Sequence, residues 1–210
     1  NKKPNFKMIE NLAMECQMPL CYGGGIKNKD DAIKILELGV EKITLSSSAI
    51  NNPLLISEIS KITGKQSVVV VLDVKKRNFS KKYDIYTKNG KKKTNINIIE
   101  FVKKLEDLGC GEIVINSIDN DGIMKGYDFS ISRQIRKNIS IPMTIIGGAG
   151  SLDDLRYAVE NFGVIGISAG SLFVFKGPLN AVLINYPEKT TKEALINEGL
   201  KKYVANTSKY

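Results

Sequence analysis

Apolar residues occur along the chain in six short, continuous runs, and polar segments separate these runs. The runs are rich in β-branched residues and lack the apolar–polar alternation of half-exposed strands, a pattern typical of strands buried on both faces. Three of the intervening segments have helical spacing and end at or near a glycine, a common stop signal for a helix. Strands alternating with helices predict right-handed βαβ units and a parallel sheet. The predicted strands are residues 19–22, 43–45, 67–72, 112–115, 142–146 and 164–168, and the predicted helices are 30–38, 97–108 and 152–161.

The chain contains an internal repeat. Residues 19–48 align with residues 142–172 at an offset of about 123 residues. Each copy starts at a proline, reaches a pair of glycines, continues through a pair of aspartates into a helical pattern, and ends in small or hydroxyl-bearing residues. With one inserted residue in the second copy, Ser47 aligns with Ser171. A repeat at this long period indicates two halves, each built from several β/α steps.

Six β/α steps and a twofold repeat predict a fold of the α/β class, a (βα)8 TIM-type barrel of two half-barrel repeats. The first-half counterparts of the third and fourth strands would lie before residue 1, so the first two strands of such a barrel are missing from this chain. Residues 190–204 predict a closing amphipathic helix and not a displaced pair of strands. We therefore expect residues 1–210 to form a single barrel domain that is incomplete at its N-terminus; a natural six-step protein is the alternative.

Composition narrows the class of protein further. Hydrophobic residues make up 42% of the 210 residues and charged residues 25%, as in an ordinary globular protein. The chain shows neither a membrane-spanning apolar stretch nor a signal peptide, so we expect a cytoplasmic protein without membrane contacts. The three cysteines lack the CxxC spacing of a metal or redox site. Histidine is absent, which excludes histidine-based triads and histidine metal sites; neither a metal nor a cofactor is expected.

The net charge of +9 suits an anionic partner. Basic residues concentrate at 75–77, 81–82 and 91–93, around a segment that predicts a β-hairpin with Asn89 and Gly90 in its turn. The chain carries no nucleic-acid-binding motif, and we expect no nucleic-acid partner. A loop that steers a phosphorylated ligand and a solvated lysine-rich loop both remain open.

The repeat itself predicts two phosphate cradles. In parallel β/α barrels, phosphates bind where loops after strands present backbone N–H groups, and glycine permits the close approach that this needs. Serine adds a hydroxyl donor. A glycine after a strand is often only a turn, but two repeat-related sets favour a substrate with two phosphates. The first set is Gly25, Ser46 and Ser47, and the second is Gly148, Gly170 and Ser171.

Polar residues follow two further strands. Asp73 ends the apolar run VVVVLD, and a carboxylate at the carboxyl end of a barrel strand lies at the catalytic mouth. The loop after the strand IVINS contains Asp121 and Gly122, a turn signal in a position suited to a substrate loop. Asn116, at the end of that strand, would offer an amide to a polar substrate.

Lys42 and Glu112 each stand at the start of a predicted strand. Lys42 shares strand parity with Thr44 and Ser46, and Glu112 shares it with Val114 and Asn116, so both side chains would point into the barrel from its lower end. Two interpretations remain open: a structural ion pair that closes this end, and a charged gate on a passage through the barrel.

Taken together, these motifs resemble the cyclase subunit of imidazole glycerol phosphate synthase, the HisF family. The resemblance runs from about residue 5 to about residue 187 and includes GGGI, EKITLSSSAI, VVLDVK, DIYTKNGKKKT, GEIVINSIDNDGIMKGYD, IIGGAGSLDD and SAGSLF in family order. It implies a (βα)8 barrel with the half-barrel repeat. The family uses ammonia from a glutaminase partner, the HisH-like subunit, to split and cyclise a bis-phosphorylated ribulosyl formimino-carboxamide nucleotide. The products are imidazole glycerol phosphate and an aminoimidazole carboxamide ribotide.

The resemblance also implies roles for individual residues. Asp73 corresponds to one of two catalytic aspartates, the general acid. The remaining correspondences are one phosphate site at Gly25, Ser46 and Ser47, the other at Asp121, Gly122, Gly148 and Ser171, and two of four charged ammonia-gate residues at Lys42 and Glu112.

Several positions depart from the family pattern. Ser46 replaces an asparagine, Asn116 a threonine, Ile146 a serine and Val174 a histidine. Such changes favour a paralogue, and one branch of the family supplies ammonia for the amidination of surface-glycan sugars without the cyclase reaction. Two further hypotheses stay open: an ammonia-conducting scaffold that activates a glutaminase, and another kind of phosphate-binding barrel.

Overall fold

The computed structural model describes residues 3–177 and 181–208. Its helices are α1 (Phe6–Glu15), α2 (Lys29–Glu37), α3 (Ser47–Asn51), α4 (Leu54–Thr63), α5 (Ile98–Asp107), α6 (Phe129–Arg136), α7 (Leu152–Phe162), α8 (Ser171–Val174) and α9 (Lys189–Thr207). Its strands are β1 (Cys21–Gly23), β2 (Lys42–Leu45), β3 (Val68–Lys76), β4 (Tyr83–Thr87), β5 (Lys92–Lys93), β6 (Glu112–Ser117), β7 (Met143–Ile146), β8 (Gly166–Ile167), β9 (Phe175–Lys176) and β10 (Ala181–Val182). A single 3-10 turn, Lys65–Ser67, precedes β3.

Six strands form a sheet in the order β1-β2-β3-β6-β7-β8. The pairs β1–β2, β2–β3 and β7–β8 are parallel. At least one helix lies between each strand of this series and the next along the chain, as crossover connections between parallel strands require. The predicted parallel β/α architecture is therefore confirmed, and the fold is of the TIM-barrel type.

Two strands, β3 and β8, differ most in length from their predictions. Strand β3 continues to Lys76, so Asp73 lies inside the strand and not at its end. The reason is a partner that the apolar pattern does not reveal: β4 pairs with β3, and the Arg77 N–H donates to the Lys82 carbonyl at 2.9 Å. Strand β8 is shorter than predicted, because only Gly166–Ile167 pair with β7, and Val164 is fully exposed.

The helices predicted at 30–38, 97–108 and 152–161 are confirmed to within one residue at each end, and their caps explain why. Asn28 accepts a hydrogen bond from the Asp31 N–H at 2.8 Å, and Asn97 caps α5 in the same way. Ser151 and Asp154 form a reciprocal capping box at the start of α7. These side chains satisfy backbone donors that a helix N-terminus otherwise leaves without partners.

The predicted hairpin is confirmed as β4–β5. The two strands are antiparallel, with Tyr86 opposite Lys93 and Thr87 opposite Lys92. Lys88, Asn89 and Gly90 form the turn with φ values of 55°, 57° and 75°, the left-handed region that glycine and asparagine tolerate best.

The described residues fall into two compact units. Unit 1 contains the chain up to Asp73 together with Asp84–Val114 and Asn138–Pro142. Unit 2 contains Val74–Tyr83, Ile115–Lys137 and the chain from Met143 onward. Buried aliphatic side chains form the core of each unit, with Ile35, Ile43, Leu55, Ile59 and Leu105 in unit 1, and Ile115, Ile131, Ile135, Ile145 and Val159 in unit 2. The single barrel domain over residues 1–210 stays a prediction.

Helix α9 packs on α7 within unit 2, in agreement with the predicted closing helix. Gly199 permits the close approach, because a Cβ at this position would lie 2.8 Å from the Cβ of Val159. Arg156 on α7 forms ion pairs with Glu160 and with Glu198 on α9. Across the part of the chain that the structure describes, no helix combines the length and the apolar character needed to cross a membrane.

Candidate functional site

The main pocket of unit 1 brings four of the predicted site residues together. It has a volume of about 610 Å³, and Gly25, Ser46, Ser47 and Asp73 all contribute to its lining. The other lining residues include Gly24, Lys27, Thr44, Val71, Thr87, Lys88, Asn89 and Lys92. A carboxylate and a glycine- and serine-rich cradle therefore share one cavity.

The glycine loop of this pocket follows directly from β1. Gly24 and Gly25 have φ values of 116° and 76°. A Cβ at Gly24 would meet nothing within 4 Å among the described residues, so conformation and not crowding requires glycine here. The loop leaves the backbone at Gly24 and Gly25 open to the pocket, as close approach of an anion requires.

The serine cradle connects β2 to α3 and touches the hairpin turn. Ser46 lies just before α3, and Ser47 is the first residue of that helix. The Ser47 hydroxyl accepts a hydrogen bond from the Lys88 N–H at 3.2 Å. This contact joins the cradle to the β4–β5 turn, and sequence reasoning missed it because the two residues lie 41 positions apart.

Asp73 reaches the pocket because of strand parity. Thr44 pairs with Val69 in the parallel register, so Thr44, Val71 and Asp73 lie on the same face of the sheet. The intervening Val70 and Leu72 are completely buried on the opposite face. Asp73 is only partly exposed, which suits a group that transfers a proton to a bound ligand.

The basic segment 91–93 divides into residues with different surroundings. Lys92 lines the pocket together with Lys88 from the turn. Lys93 instead forms an ion pair with Asp84 at 2.7 Å, and the Asp84 side chain is only 7% exposed. Lys91 lies in the turn and is exposed to solvent. The loop thus presents two cations to the pocket, an arrangement compatible with a phosphate-steering loop.

Lys42 and Glu112 form an ion pair within unit 1. The Lys42 Nζ lies 2.6 Å from the Glu112 Oε2, and the side chains are 42% and 17% exposed. Cys21 lies opposite Lys42 in the β1–β2 register, and its thiol is 2.8 Å from the Thr44 hydroxyl. Cys21 is an exposed residue overall, but partial burial of its thiol raises the pKa of that thiol. The pair is compatible with both interpretations of these charges, a closed end and a gate.

In unit 2, Gly148 of the second cradle and the nearby Gly150 pack tightly against the loop after β6. The Gly126 N–H donates to the Gly148 carbonyl at 2.8 Å. A Cβ at Gly148 would lie 2.1 Å from the Gly126 carbonyl oxygen, and one at Gly150 would lie 2.1 Å from that of Met124. These glycines therefore have a packing role whether or not a phosphate binds.

The remaining predicted residues of unit 2 lie near this contact or on the adjoining loops. The Asp121 N–H donates to the Ser117 carbonyl at 3.0 Å, which holds the turn containing Gly122. Asn116 is close to Gly147, because a Cβ on Gly147 would lie 2.9 Å from the Asn116 Oδ1. Gly170 immediately precedes α8, and Ser171 is the first residue of that helix.

Tyr83 and Asp128 form a partly buried contact that the sequence did not reveal. The Tyr83 hydroxyl donates to Asp128 at 2.6 Å, and Asp128 also caps α6 through the Ser130 N–H. Burial, followed by the hydrogen bond to Asp128, raises the pKa of Tyr83 to about 12. The neutral phenol is therefore the form that the folded protein stabilises.

Because the folded-state pKa of Tyr83 lies above its ordinary value of about 10, its contribution to stability is complete below pH 10 and is lost as the pH rises through 12. We expect Tyr83→Phe to lower the free energy of unfolding by about 1–2 kcal/mol at pH 9. Urea unfolding of both proteins from pH 9 to pH 12 measures this difference, which should shrink above pH 10. A difference that stays constant to pH 12 would contradict the assignment.

Fold and site together define the class of protein: a β/α protein of the TIM-barrel type with a candidate anion-binding pocket. The chain has a parallel β/α fold of the TIM-barrel type. Its unit 1 pocket places a carboxylate beside a cradle suited to an anion. Within the described residues, 3–177 and 181–208, no group of three or more His, Cys, Asp or Glu side chains is arranged to hold a metal ion.

Comparison with known proteins specifies the family. The model of the family described as "Histidine biosynthesis protein" matches residues 1–179. A Leptospira borgpetersenii protein with the provisional name imidazole glycerol phosphate synthase subunit HisF is 53% identical over 194 residues, 92% of this chain and 76% of that protein. A Vibrio vulnificus protein, provisionally named subunit hisF3, is 51% identical over 191 residues, 91% of this chain and 74% of that protein. The Petrotoga mobilis subunit HisF is 39% identical over 166 residues, 79% of this chain and 66% of that protein. The chain belongs to the HisF family of histidine biosynthesis proteins.

Proposed function

We propose that this protein is an ammonia-dependent cyclase subunit that acts on a bis-phosphorylated ribulosyl formimino-carboxamide nucleotide in histidine biosynthesis. The observation that carries the proposal is the pocket of unit 1, where Asp73 shares a cavity with Gly25, Ser46 and Ser47. The repeat-related second set, including Gly148 and Ser171, matches the number of phosphates in such a substrate.

In this proposal, Asp73 is the general acid of the cyclisation. A carboxylic acid within hydrogen-bond reach of the reacting group donates a proton as the leaving group departs. Backbone N–H groups at Gly24 and Gly25 and the hydroxyls of Ser46 and Ser47 would hold one phosphate and so fix the nucleotide relative to Asp73. Asp121, Gly122 and Gly170 would contribute to binding of the other phosphate, and Asn116 would bind a polar group of the substrate.

Ammonia would come from a glutaminase partner of the HisH type. The Lys42–Glu112 pair is charged and only partly exposed, which supports a role in admitting ammonia. The same pair would also serve as a structural ion pair that closes this end of the barrel, and the following experiment distinguishes the two roles.

For the gate, we expect Glu112→Gln to lower the glutamine-dependent rate more than the rate with added ammonium. The loss of unfolding free energy should be only about 1 kcal/mol or less, because Lys42 remains accessible to water. Steady-state rates with each nitrogen source, in the complex with the glutaminase, measure the ratio. Equal losses with both sources would leave only the structural closure.

The proposed reaction is tested by tracing nitrogen. The intact protein in complex with its glutaminase is supplied with amide-¹⁵N glutamine and the bis-phosphorylated nucleotide. We expect the label to enter the imidazole ring of imidazole glycerol phosphate. Glutamine hydrolysis that releases labelled ammonia, while the nucleotide stays intact, would refute the cyclase function.

A second candidate is an ammonia-channelling subunit for the amidination of a surface-glycan sugar. It is supported by a specific pattern among the relatives: proteins with the numbered, provisional names hisF3 and hisF2 are 51% and 43% identical, whereas the plainly named Petrotoga mobilis HisF is 39% identical. Ser46 and Asn116, which depart from the family pattern, both belong to the predicted substrate site. For this function, the same ¹⁵N label should appear in a sugar amidine once the acceptor enzyme and its sugar substrate are added.

A further inference from the structure

The β4–β5 hairpin has two faces with different functions in the structure. Thr87 and Lys92 are directly opposite each other in the register, so their side chains share one face. Both residues line the pocket that contains Asp73. Thr87 is 5% exposed, and its hydroxyl donates to the Lys92 carbonyl at 3.3 Å. This face of the hairpin therefore forms a wall of the pocket.

The other face carries an ion pair that fixes the strand register. Tyr86 is opposite Lys93, and Asp84 lies two residues before Tyr86, so Asp84 and Lys93 are diagonal neighbours on this face. Lys93 reaches Asp84 at 2.7 Å, and the Asp84 side chain is nearly completely buried. A slip of one residue would turn Lys92 away from the pocket, because side chains alternate between the faces of a strand. It would also separate Asp84 from the cation that it pairs with.

We propose that Lys92 binds the phosphate held by the Gly25–Ser47 cradle, and that the Asp84–Lys93 pair is a positioning device that keeps Lys92 on the pocket. The proposal rests on the proposed function only in assuming that this cradle takes a phosphorylated ligand. It adds a cation to a site that the repeat pattern describes by its glycines and serines alone.

Charge and geometry support this assignment. A phosphate dianion binds most strongly where charged donors reach it, since charge-assisted hydrogen bonds are about twice as strong as neutral ones. The turn is also attached to the cradle, because the Lys88 N–H donates to Ser47 at 3.2 Å. The cation-bearing wall and the hydroxyl cradle thus belong to one connected structure. Lys91, only one residue away from Lys92, is exposed in the turn and supplies a matched control.

The experiment measures binding of inorganic phosphate to the intact protein by ¹H–¹⁵N NMR. The amide signals of Gly25, Ser47 and Lys88 report on this pocket, and that of Asp107, which is exposed at the end of α5 and away from the pocket, serves as an internal reference. We expect Lys92→Met to weaken phosphate binding at the three pocket signals at least about tenfold, the effect of losing one charge-assisted hydrogen bond. Lys91→Met should leave binding within about twofold. Equal effects of the two substitutions, or none from Lys92→Met, would overturn the assignment of Lys92.

The positioning pair is tested in the same assay. Lys93→Met should weaken phosphate binding, although Lys93 pairs with Asp84 on the face of the hairpin opposite the pocket. Lys93→Arg keeps this ion pair and should therefore bind phosphate as the parent protein does. A purely structural role would lower thermal stability while the folded protein binds phosphate with unchanged affinity, and that result would overturn the positioning role.

This assay uses neither ammonia nor the nucleotide, so its outcome is independent of the cyclase reaction. Normal cyclisation by a Lys92→Met variant that also binds phosphate normally would refute only the present inference. If the unsubstituted protein had no cyclase activity but Lys92→Met still abolished its phosphate binding, only the proposed reaction would be refuted.

Discussion

Replacing Asp73 with asparagine is expected to lower ammonia-dependent turnover about 10²- to 10⁴-fold, the usual contribution of a positioned general acid. Asparagine keeps the size of the side chain and its hydrogen-bonding capacity but cannot donate a proton in this way. Because Asp73 shares the pocket with the phosphate cradle and does not belong to it, substrate affinity should change much less than turnover. The fall should therefore appear in kcat and not in KM.

A matched control comes from the same unit. Asp107 is an exposed carboxylate at the end of α5, and Asp107→Asn makes the same chemical change away from the pocket. We expect this variant to retain full activity, and both variants to unfold at nearly the temperature of the unaltered protein. If Asp73→Asn retained kcat, the ammonia-conducting scaffold would become the better hypothesis.

The second large effect concerns stability. Gly148→Ala should lower the free energy of unfolding by about 2–5 kcal/mol, because strain and overpacking combine at this position. Its φ is 118°, which side chains rarely adopt, and the added Cβ would lie 2.1 Å from a backbone oxygen that cannot move as a flexible side chain does. Urea unfolding of the purified protein measures this loss.

Gly170→Ala provides the comparison, because a Cβ at Gly170 would have no neighbour within 4 Å in the described part of the chain. We expect it to change the free energy of unfolding by about 0.5 kcal/mol or less. Its effect should instead fall on binding of the phosphorylated substrate. If the Gly148→Ala protein were as stable as the parent, the backbone at Gly126 would have to move to accommodate the added methyl group. Phosphate binding would then be the main reason for a glycine at position 148.

Local signals explain the parts of the fold that could be predicted from sequence. The parallel β/α order follows from apolar runs that alternate with helical patterns, and the three helices predicted at 30–38, 97–108 and 152–161 each have a capping residue within two residues of the predicted start. Asn28 and Ser151 are examples, since each bonds to a backbone N–H three residues ahead. The turn at Asn89 and Gly90 was equally predictable, because few other residue pairs adopt the left-handed backbone conformation so readily.

Contacts between distant residues explain what could not be predicted. The end of β3 was placed too early because Asp73, Lys75 and Lys76 interrupt the apolar run, whereas the strand continues to Lys76 and pairs with β4. The hairpin register determines which of the lysines at 91–93 lines the pocket and which pairs with Asp84, and this register could not be predicted from the sequence. The contacts from Tyr83 to Asp128 and from Lys88 to Ser47 join residues 45 and 41 positions apart, and no periodic pattern marks them.

The candidate site was predictable in part from the repeat and in part from the ends of the apolar runs. The repeat marks Gly25, Ser46 and Ser47, the apolar run VVVVLD marks Asp73, and all four residues line one pocket in the structure. The repeat gave no indication of Lys88 and Lys92, because the hairpin belongs to a segment outside both copies. The roles of all these residues remain predictions that the experiments above test.

The central claim is tested most directly by the conversion of the bis-phosphorylated nucleotide with saturating ammonium and no glutaminase. Purified intact protein is mixed with the nucleotide, and both products are quantified over time. We expect imidazole glycerol phosphate and the aminoimidazole carboxamide ribotide to appear in equal amounts, at a rate that depends on ammonium. A folded protein that binds the nucleotide but releases neither product would contradict the cyclase function.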